Sequence, residues 1–141
     1  MPKLKVFVTR KIPDPALPLL KKYFQVKVYQ KDQIISRAEL IKGVKWCNAL
    51  LCLLTDKIDK EVIDANPNLK IISNYAVGYD NIDVSYATMR GVPVCNTPSQ
   101  LVVDAVAEHT FALMLGLAKR LHEDEEYVRK HLWKSWAPQL L

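Results

Sequence analysis

The stretch "LKIISNYAVGYDNIDVSYATMRGVPVCN", residues 69–96, contains one complete strand, loop, helix and strand. It starts and ends with apolar runs, 69–75 and 92–96, of the kind that forms buried strands. Between them, Asp83 is placed to begin a helix and Gly91 to end it. A helix between two strands is typical of a crossover connection, so this stretch predicts two parallel strands.

The same unit recurs along the chain. The five candidate strands begin 22, 23, 20 and 23 positions apart. Each gap holds a helical pattern with a start signal, namely Asp14 with Pro15, Ser36, Asp59 and Asp83. The other candidate strands are residues 4–9, 26–29 and 49–54. Regular alternation predicts an α/β fold, a flavodoxin-like doubly wound parallel sheet of five strands within residues 1–98.

A long helix of about 20 residues is predicted after Ser99. Its apolar positions go most of the way round, with only Asp104, Glu108 and His109 as a polar interruption. A helix of this kind needs more than one layer of protein around it. We therefore expect residues 99–141 to be an interdomain-type helix and arm leading to a further domain. The nearly apolar stretch 105–118 is shorter than the ~20 residues of a membrane span, so no membrane partner is predicted.

Composition excludes several classes of partner. Half of the 141 residues are hydrophobic, and the net charge of +5 comes from lysines spread along the chain. No basic run or stripe predicts a nucleic-acid partner. The start carries no secretory signal, so the cytoplasm is the expected location. Cys47, Cys52 and Cys95 have no paired spacing and are expected to be buried free thiols, and no metal site is predicted.

The loop after the fourth strand is the candidate ligand site, because ligands of doubly wound sheets bind beyond the carboxyl ends of the strands. Gly78 would let the backbone turn sharply, and free N–H groups around Val77 and Gly78 would then cradle a carboxylate. From the residues alone, this cradle and an ordinary turn are equally good interpretations. Leu53 ends the third strand at the same edge, where an ordinary strand end explains it equally well.

Other polar residues do not indicate catalysis. Asp80, Asn81 and Asp83 are best explained as local caps and turn formers. Asp104 and Glu108 favour a polar stripe against a neighbour, and His109 has no partner at ligand spacing. We assign no catalytic residue in this chain.

A long motif resembles a known family. The run "NYAVGYDNIDVSYATMRGVPVCNTP", residues 74–98, followed by "VAEHTFALMLGLAKR", residues 106–120, closely resembles the NAD(P)-dependent D-2-hydroxyacid dehydrogenases. The likeness is strongest to the glyoxylate and hydroxypyruvate reductase branch, and it extends over essentially the whole chain. It implies a substrate domain at 1–98 and, at 99–141, a linker helix and dimerisation arm leading to a Rossmann domain that lies outside this chain.

The resemblance also implies roles for individual residues. Val77 and Gly78 would offer backbone amides to the substrate carboxylate, with Leu53 beside the same pocket. Val77 and Val103 would lie near the nicotinamide, although valines replace the small polar residues common around 102–103, so no hydrogen bond is expected from them. Trp136, in the pattern W-x-S-W-x-P, would reach the partner subunit's active site.

The parts that carry hydride transfer in the family have no counterpart here. The four glycines, Gly43, Gly78, Gly91 and Gly116, cannot form the dinucleotide fingerprint G-x-G-x-x-G. We therefore expect an N-terminal part of a reductase of small 2-oxo acids such as glyoxylate or hydroxypyruvate, with NAD or NADP bound only in the complete enzyme. The 141-residue chain alone is expected to be inactive.

The sequence also predicts self-association and leaves an alternative function open. Exposed apolar faces within 101–141 predict a homodimer or higher self-association. The alternative function is a non-catalytic module that binds a carboxylate or serves oligomerisation. The choice between NAD and NADP and the identity of the 2-oxo acid stay open from the sequence.

Overall fold

A computed structural model describes residues 2–136 and 138. The chain divides into two compact units, Met1–Pro98 and Ser99–Leu141. The functions predicted for the two parts stay predictions.

The first unit is built on one parallel sheet of five strands in the order β2-β1-β3-β4-β5. This is the flavodoxin-like strand order, so the predicted fold is confirmed. The last strand is shorter than expected, with two residues. The strands are β1 Lys5–Val8, β2 Gln25–Val28, β3 Ala49–Leu53, β4 Ile71–Tyr75 and β5 Val94–Cys95.

Four helices connect these strands: α1 Ala16–Tyr23, α2 Arg37–Trp46, α3 Lys60–Asp64 and α4 Val84–Met89. The predicted starts of the last three are confirmed, because the side chains of Ser36, Asp59 and Asp83 accept hydrogen bonds from the backbone N–H groups of Glu39, Val62 and Tyr86. Helix α1 follows Pro15 without a side-chain cap. Gly91 follows the end of α4 with a φ of +67°, a left-handed conformation that favours glycine.

Two hydrophobic clusters show that the sheet is covered on both faces. The larger one contains Phe7, Leu50 and Ile72 from the strands, together with Val44 and Val62 from α2 and α3. The smaller one contains Val6, Val8, Ile12 and Leu17. Consecutive residues of β1 enter different clusters because successive strand side chains point to opposite faces.

The cysteines are free, as predicted, but their burial differs. Cys47 and Cys52 are buried, whereas Cys95 is exposed, so the expectation of three buried thiols is wrong for Cys95. Burial raises the pKa of the Cys47 thiol to about 11. Burial, together with the nearby charge of Asp56, raises the pKa of the Cys52 thiol to about 12. Within residues 2–136 and 138, no group of three or more His, Cys, Asp or Glu side chains could hold a metal ion.

The second unit contains two helices, α5 Gln100–Ala118 and α6 Leu121–Arg129. Ser99 occupies the N-cap position of α5, but its side chain makes no capping hydrogen bond. Glu123 and Asp124 lie in the first turn of α6 and Arg129 in its last, an arrangement that the helix dipole favours.

Helix α5 is apolar and exposed along its length. Its exposed side chains include Leu101, Phe111, Leu115 and Leu117. By length and composition, the 19-residue helix is sufficient to cross a membrane. The argument from the shorter stretch 105–118 therefore does not exclude a span, and the absence of a membrane partner stays a prediction.

Candidate functional site

The loops that follow β1 and β3 are joined by a buried hydrogen bond at the carboxyl edge of the sheet. Thr9 Oγ1 donates to Asp56 Oδ2 at 2.5 Å, and the Leu53 N–H donates to the same oxygen at 2.8 Å. Thr9 and Asp56 are 1% and 4% exposed. The carboxylate therefore fixes the end of β3 against the end of β1, since a buried carboxylate needs donors around it.

Two asparagines extend this network to the loop after β4. Asn74 is fully buried in β4, and its Nδ2 donates to Asn81 Oδ1 at 3.0 Å. Asn81 Nδ2 donates to the carbonyl oxygens of Leu53 and Asp56 at 3.1 and 3.0 Å. The interpretation of Asn81 as a local cap is therefore wrong, because its side chain connects two loops distant in sequence. For Asp83 it is confirmed, since Asp83 caps α4.

In the first part of the loop after β4, residues 76–78, the carbonyl groups accept hydrogen bonds. The Ala76 carbonyl accepts from Thr97 N at 2.9 Å. The Val77 carbonyl accepts from Asn96 Nδ2 at 2.7 Å, and the Gly78 carbonyl accepts from Asn74 Nδ2 at 2.9 Å. Among the described residues, the N–H groups of Val77 and Gly78 have no hydrogen-bond acceptor. Two adjacent unpaired N–H groups can bind a small anion such as a carboxylate.

The chain bends at Ala76 and Val77, but Gly78 itself is not in a left-handed conformation. Among the described glycines, only Gly91 has a positive φ. A Cβ atom at Gly78 would meet nothing closer than Asp80 Oδ2, at 3.9 Å. The chain itself therefore has room for a Cβ atom at this position.

The structure brings three of the predicted site residues into one unit. Leu53, the last residue of β3, is paired with Tyr75, the last residue of β4. It therefore lies beside the strand end from which the loop with Val77 and Gly78 starts. Val103 and Trp136 are 50% and 83% exposed in the second unit. Their grouping with the loop after β4 stays a prediction.

Sequence reasoning missed the residues that hold the loop. Asn74 lies two positions after the buried Ile72 in β4, on the same face of the sheet, so its burial follows from the period of a strand. That burial indicated a hydrogen-bonded side chain, although its partners could not be named. Nothing in the local pattern distinguished Asn96 or Thr97 from ordinary residues after a strand.

The described residues lack the glycine-rich turn that binds the pyrophosphate of a dinucleotide. A pyrophosphate is bound where several glycines let a strand-to-helix turn approach it closely. Across the segments that follow the five strands, residues 9–15, 29–36, 54–59, 76–83 and 96–99, the one glycine is Gly78. No step of hydride transfer is therefore assigned to residues of this chain.

A family model, a curated relative and a solved structure were each compared with this chain. The family model for the catalytic domain of D-isomer specific 2-hydroxyacid dehydrogenases matches residues 6–132. A glyoxylate reductase of Thermofilum pendens is 50% identical over all of this chain. The crystal structure of the TT0316 protein of Thermus thermophilus superimposes on this chain with a TM-score of 0.88 and 38% sequence identity. The match covers 97% of this chain and 44% of the Thermus thermophilus protein.

A further solved structure contains a cofactor. It is the NADPH-dependent glyoxylate/hydroxypyruvate reductase of Sinorhizobium meliloti in complex with NADP and malonate, which is 25% identical in sequence with a TM-score of 0.69. The match covers 99% of this chain and 43% of the Sinorhizobium meliloti protein.

These matches differ from this chain in length, since the chain spans 42% of the Thermofilum pendens protein. The match of the family model nevertheless covers most of the described residues. The resemblance seen in the loop after β4 and in the 106–120 segment is thus confirmed: the chain belongs to the D-isomer specific 2-hydroxyacid dehydrogenases.

Proposed function

We propose that this chain forms the carboxylate-binding part of an NAD(P)-dependent reductase that converts a small 2-oxo acid, glyoxylate or hydroxypyruvate, to the 2-hydroxy acid. The observation that carries the proposal is the pair of N–H groups on Val77 and Gly78, which have no acceptor among the described residues. The carbonyl groups of residues 76–78 all accept hydrogen bonds. Membership of the family and the 50% identity to a protein named glyoxylate reductase support the choice of substrate class.

The chemistry of this chain is binding and orientation. Two amide N–H groups hold the substrate carboxylate without placing a charge in the site, and Leu53 lies at the neighbouring strand end. Reduction of the oxo group also needs a hydride and a proton. No catalytic residue is assigned within the described part of the chain, so in this proposal NAD(P)H supplies the hydride and an acid in the remainder of the complete enzyme supplies the proton. The chain alone is expected to be inactive.

The second unit has a different proposed role. Residues 99–141 serve as the linker helix and dimerisation arm, with Trp136 entering the partner subunit's active site and Val103 near the nicotinamide. The exposed apolar side chains of α5 support self-association. The proposed location is the cytoplasm, and the cofactor is NAD or NADP.

Titration followed by NMR tests the binding proposal on the 141-residue chain. The probe is glycolate, the unreactive 2-hydroxy acid product, and the matched control is glycolamide, which has the same size but no carboxylate. We expect glycolate to shift the amide resonances of Val77 and Gly78, and glycolamide to leave them unchanged. Equal responses to both compounds would contradict the carboxylate site. A parallel fluorescence titration with NADH is expected to show no binding.

The exposed face of α5 also favours the second candidate, an oligomerisation module. Under this alternative the chain associates but shows no selective response to glycolate. Light scattering at increasing protein concentration, together with the NMR titration, separates the two functions. A clean monomer at high concentration would count against both the module and the proposed dimerisation arm.

A further inference from the structure

The free N–H groups of the loop after β4 are oriented by bonds to the opposite sides of their own peptide groups. The peptide groups between Ala76 and Gly78 are trans, so each C=O points away from the N–H of the next residue. The Val77 carbonyl and the Gly78 N–H belong to one such group, and the Ala76 carbonyl and the Val77 N–H to another. Whatever holds the carbonyl therefore decides where the N–H points.

Both carbonyls are held by residues that follow β5. Asn96 Nδ2 donates to the Val77 carbonyl at 2.7 Å. The backbone N–H of Thr97 donates to the Ala76 carbonyl at 2.9 Å, and Thr97 Oγ1 adds a longer bond to the same oxygen at 3.2 Å. Asn96 is half-buried, and donation to Val77 is the one hydrogen bond of its side chain among the described residues.

The next carbonyl of the loop, that of Gly78, is held from a different strand. Asn74 Nδ2 holds the Gly78 carbonyl at 2.9 Å from within the buried network of β4. The loop is thus fixed from two sides, and the Asn96 bond can be removed without changing the buried amides of Asn74 and Asn81. Fixed N–H donors bind an anion more tightly than mobile ones, because less conformational freedom is lost on binding.

We propose that Asn96 is a positioning residue for substrate binding. It orients the Gly78 N–H toward the substrate carboxylate by holding the Val77 carbonyl, and Thr97 does the same for the Val77 N–H through the Ala76 carbonyl. The inference rests on the proposed function, since it assigns how the carboxylate site of that reductase is kept in shape. Neither side chain needs to touch the substrate.

The test uses the variants Asn96→Asp and Thr97→Val in the 141-residue chain. Asn96→Asp keeps the size of the side chain but removes its donor, and Thr97→Val removes the Oγ1 donor while keeping the backbone N–H. We expect N96D to move the Gly78 amide resonance of the free chain more than that of Val77, and T97V to show the opposite order. Because N96D also adds a negative charge near the carboxylate, Asn96→Ala is measured beside it and removes the donor without a charge. The Kd for glycolate should rise at least about tenfold in both Asn96 variants, with the thermal midpoint unchanged.

Asn68→Asp is the matched control, because Asn68 is exposed and its side chain makes no hydrogen bond to the described residues. It makes the same chemical change and should bind glycolate as the wild type does. A wild-type Kd in N96D, or an unmoved Gly78 resonance, would overturn the positioning role. If the wild-type chain does not bind glycolate, the proposed function fails. The amide resonances of Val77 and Gly78 in the ligand-free chain then still decide whether Asn96 orients the peptide group between these two residues.

Discussion

The ring of Phe7 in β1 occupies the space that a Cβ atom on Gly43 in α2 would need. The strand and the helix approach each other this closely because position 43 has no side chain, and both residues are buried, Phe7 within the larger hydrophobic cluster. The contact sets the distance between α2 and the sheet.

Replacement of Gly43 by alanine should therefore destabilise the fold. The added methyl group overlaps the Phe7 ring, and overpacking of this kind costs about 1–3 kcal/mol. Urea unfolding followed by circular dichroism measures the change. The control is Gly116→Ala in α5, where a Cβ would meet only Leu121 Cδ1 at 4.0 Å, and alanine is favoured inside a helix. An equal loss in both variants would contradict this role of the Phe7 contact.

Replacement of Gly78 by valine should impair substrate use but not folding. A Cβ at this position has room in the free chain, whereas a side chain beside the two N–H groups would obstruct the carboxylate. We expect the thermal midpoint to stay within about 2 °C of the wild type, which corresponds to a stability change below about 0.5 kcal/mol. In the complete enzyme, glyoxylate reduction should be abolished. Unchanged kinetics would remove the site assignment.

Replacement of Asn66 by alanine should lower stability through unpaired backbone groups. Asn66 is buried, and its Nδ2 donates to the carbonyls of Val44 and Cys47, at 2.7 and 2.5 Å, where α2 ends. Loss of these bonds should cost about 1–3 kcal/mol, since buried carbonyls are left without a donor. Asn68→Ala, two positions away on the surface, is the comparison and should change stability by less than about 0.5 kcal/mol in a denaturant titration.

Stability should fall at alkaline pH because of the two buried thiols. Burial raises the pKa of Cys47 from 9.0 to about 11 and that of Cys52 from 9.0 to about 12. Below pH 9 both states keep these protons, so the full stabilisation is present. As the pH rises above 9, the unfolded chain loses protons that the folded chain retains, and each thiol removes up to about 1.4 kcal/mol per pH unit until its folded pKa is reached.

Urea titrations between pH 8 and pH 10.5 measure this decline. Cys52→Ala should show a shallower fall with pH than the wild type, whatever its stability at pH 8. Cys95→Ala should keep the wild-type slope, because Cys95 is exposed. Parallel slopes in all three proteins would exclude the buried thiols as the cause.

The elements of the first unit were predictable because their signals are local. The caps Ser36, Asp59 and Asp83 and the helix-ending Gly91 each act within four residues, so the sequence shows them directly. Regular alternation of strands and helices predicted parallel strands joined by crossovers, and the flavodoxin-like sheet was the simplest arrangement of five such strands.

The polar contacts of the site were not predictable in the same way. Asn81 resembled a local cap, but its amide bonds to Leu53 and Asp56, more than 20 positions earlier. Asn96 acts on Val77 across two strands, 19 positions apart. Partners at such separations depend on register, which periodicity alone does not give. Free N–H groups at Val77 and Gly78 were expected from the loop glycine, but the side chains that hold the neighbouring carbonyls could not be named from the sequence.

The strand order also bears on how the chain is made. β1 pairs with β2 on one side and β3 on the other, and then β4 joins β3 and β5 joins β4. Each strand after the first therefore meets a sheet edge that is already present when it leaves the ribosome. The sheet needs no strand inserted between two earlier partners, so the first unit can grow outward in the order of its synthesis.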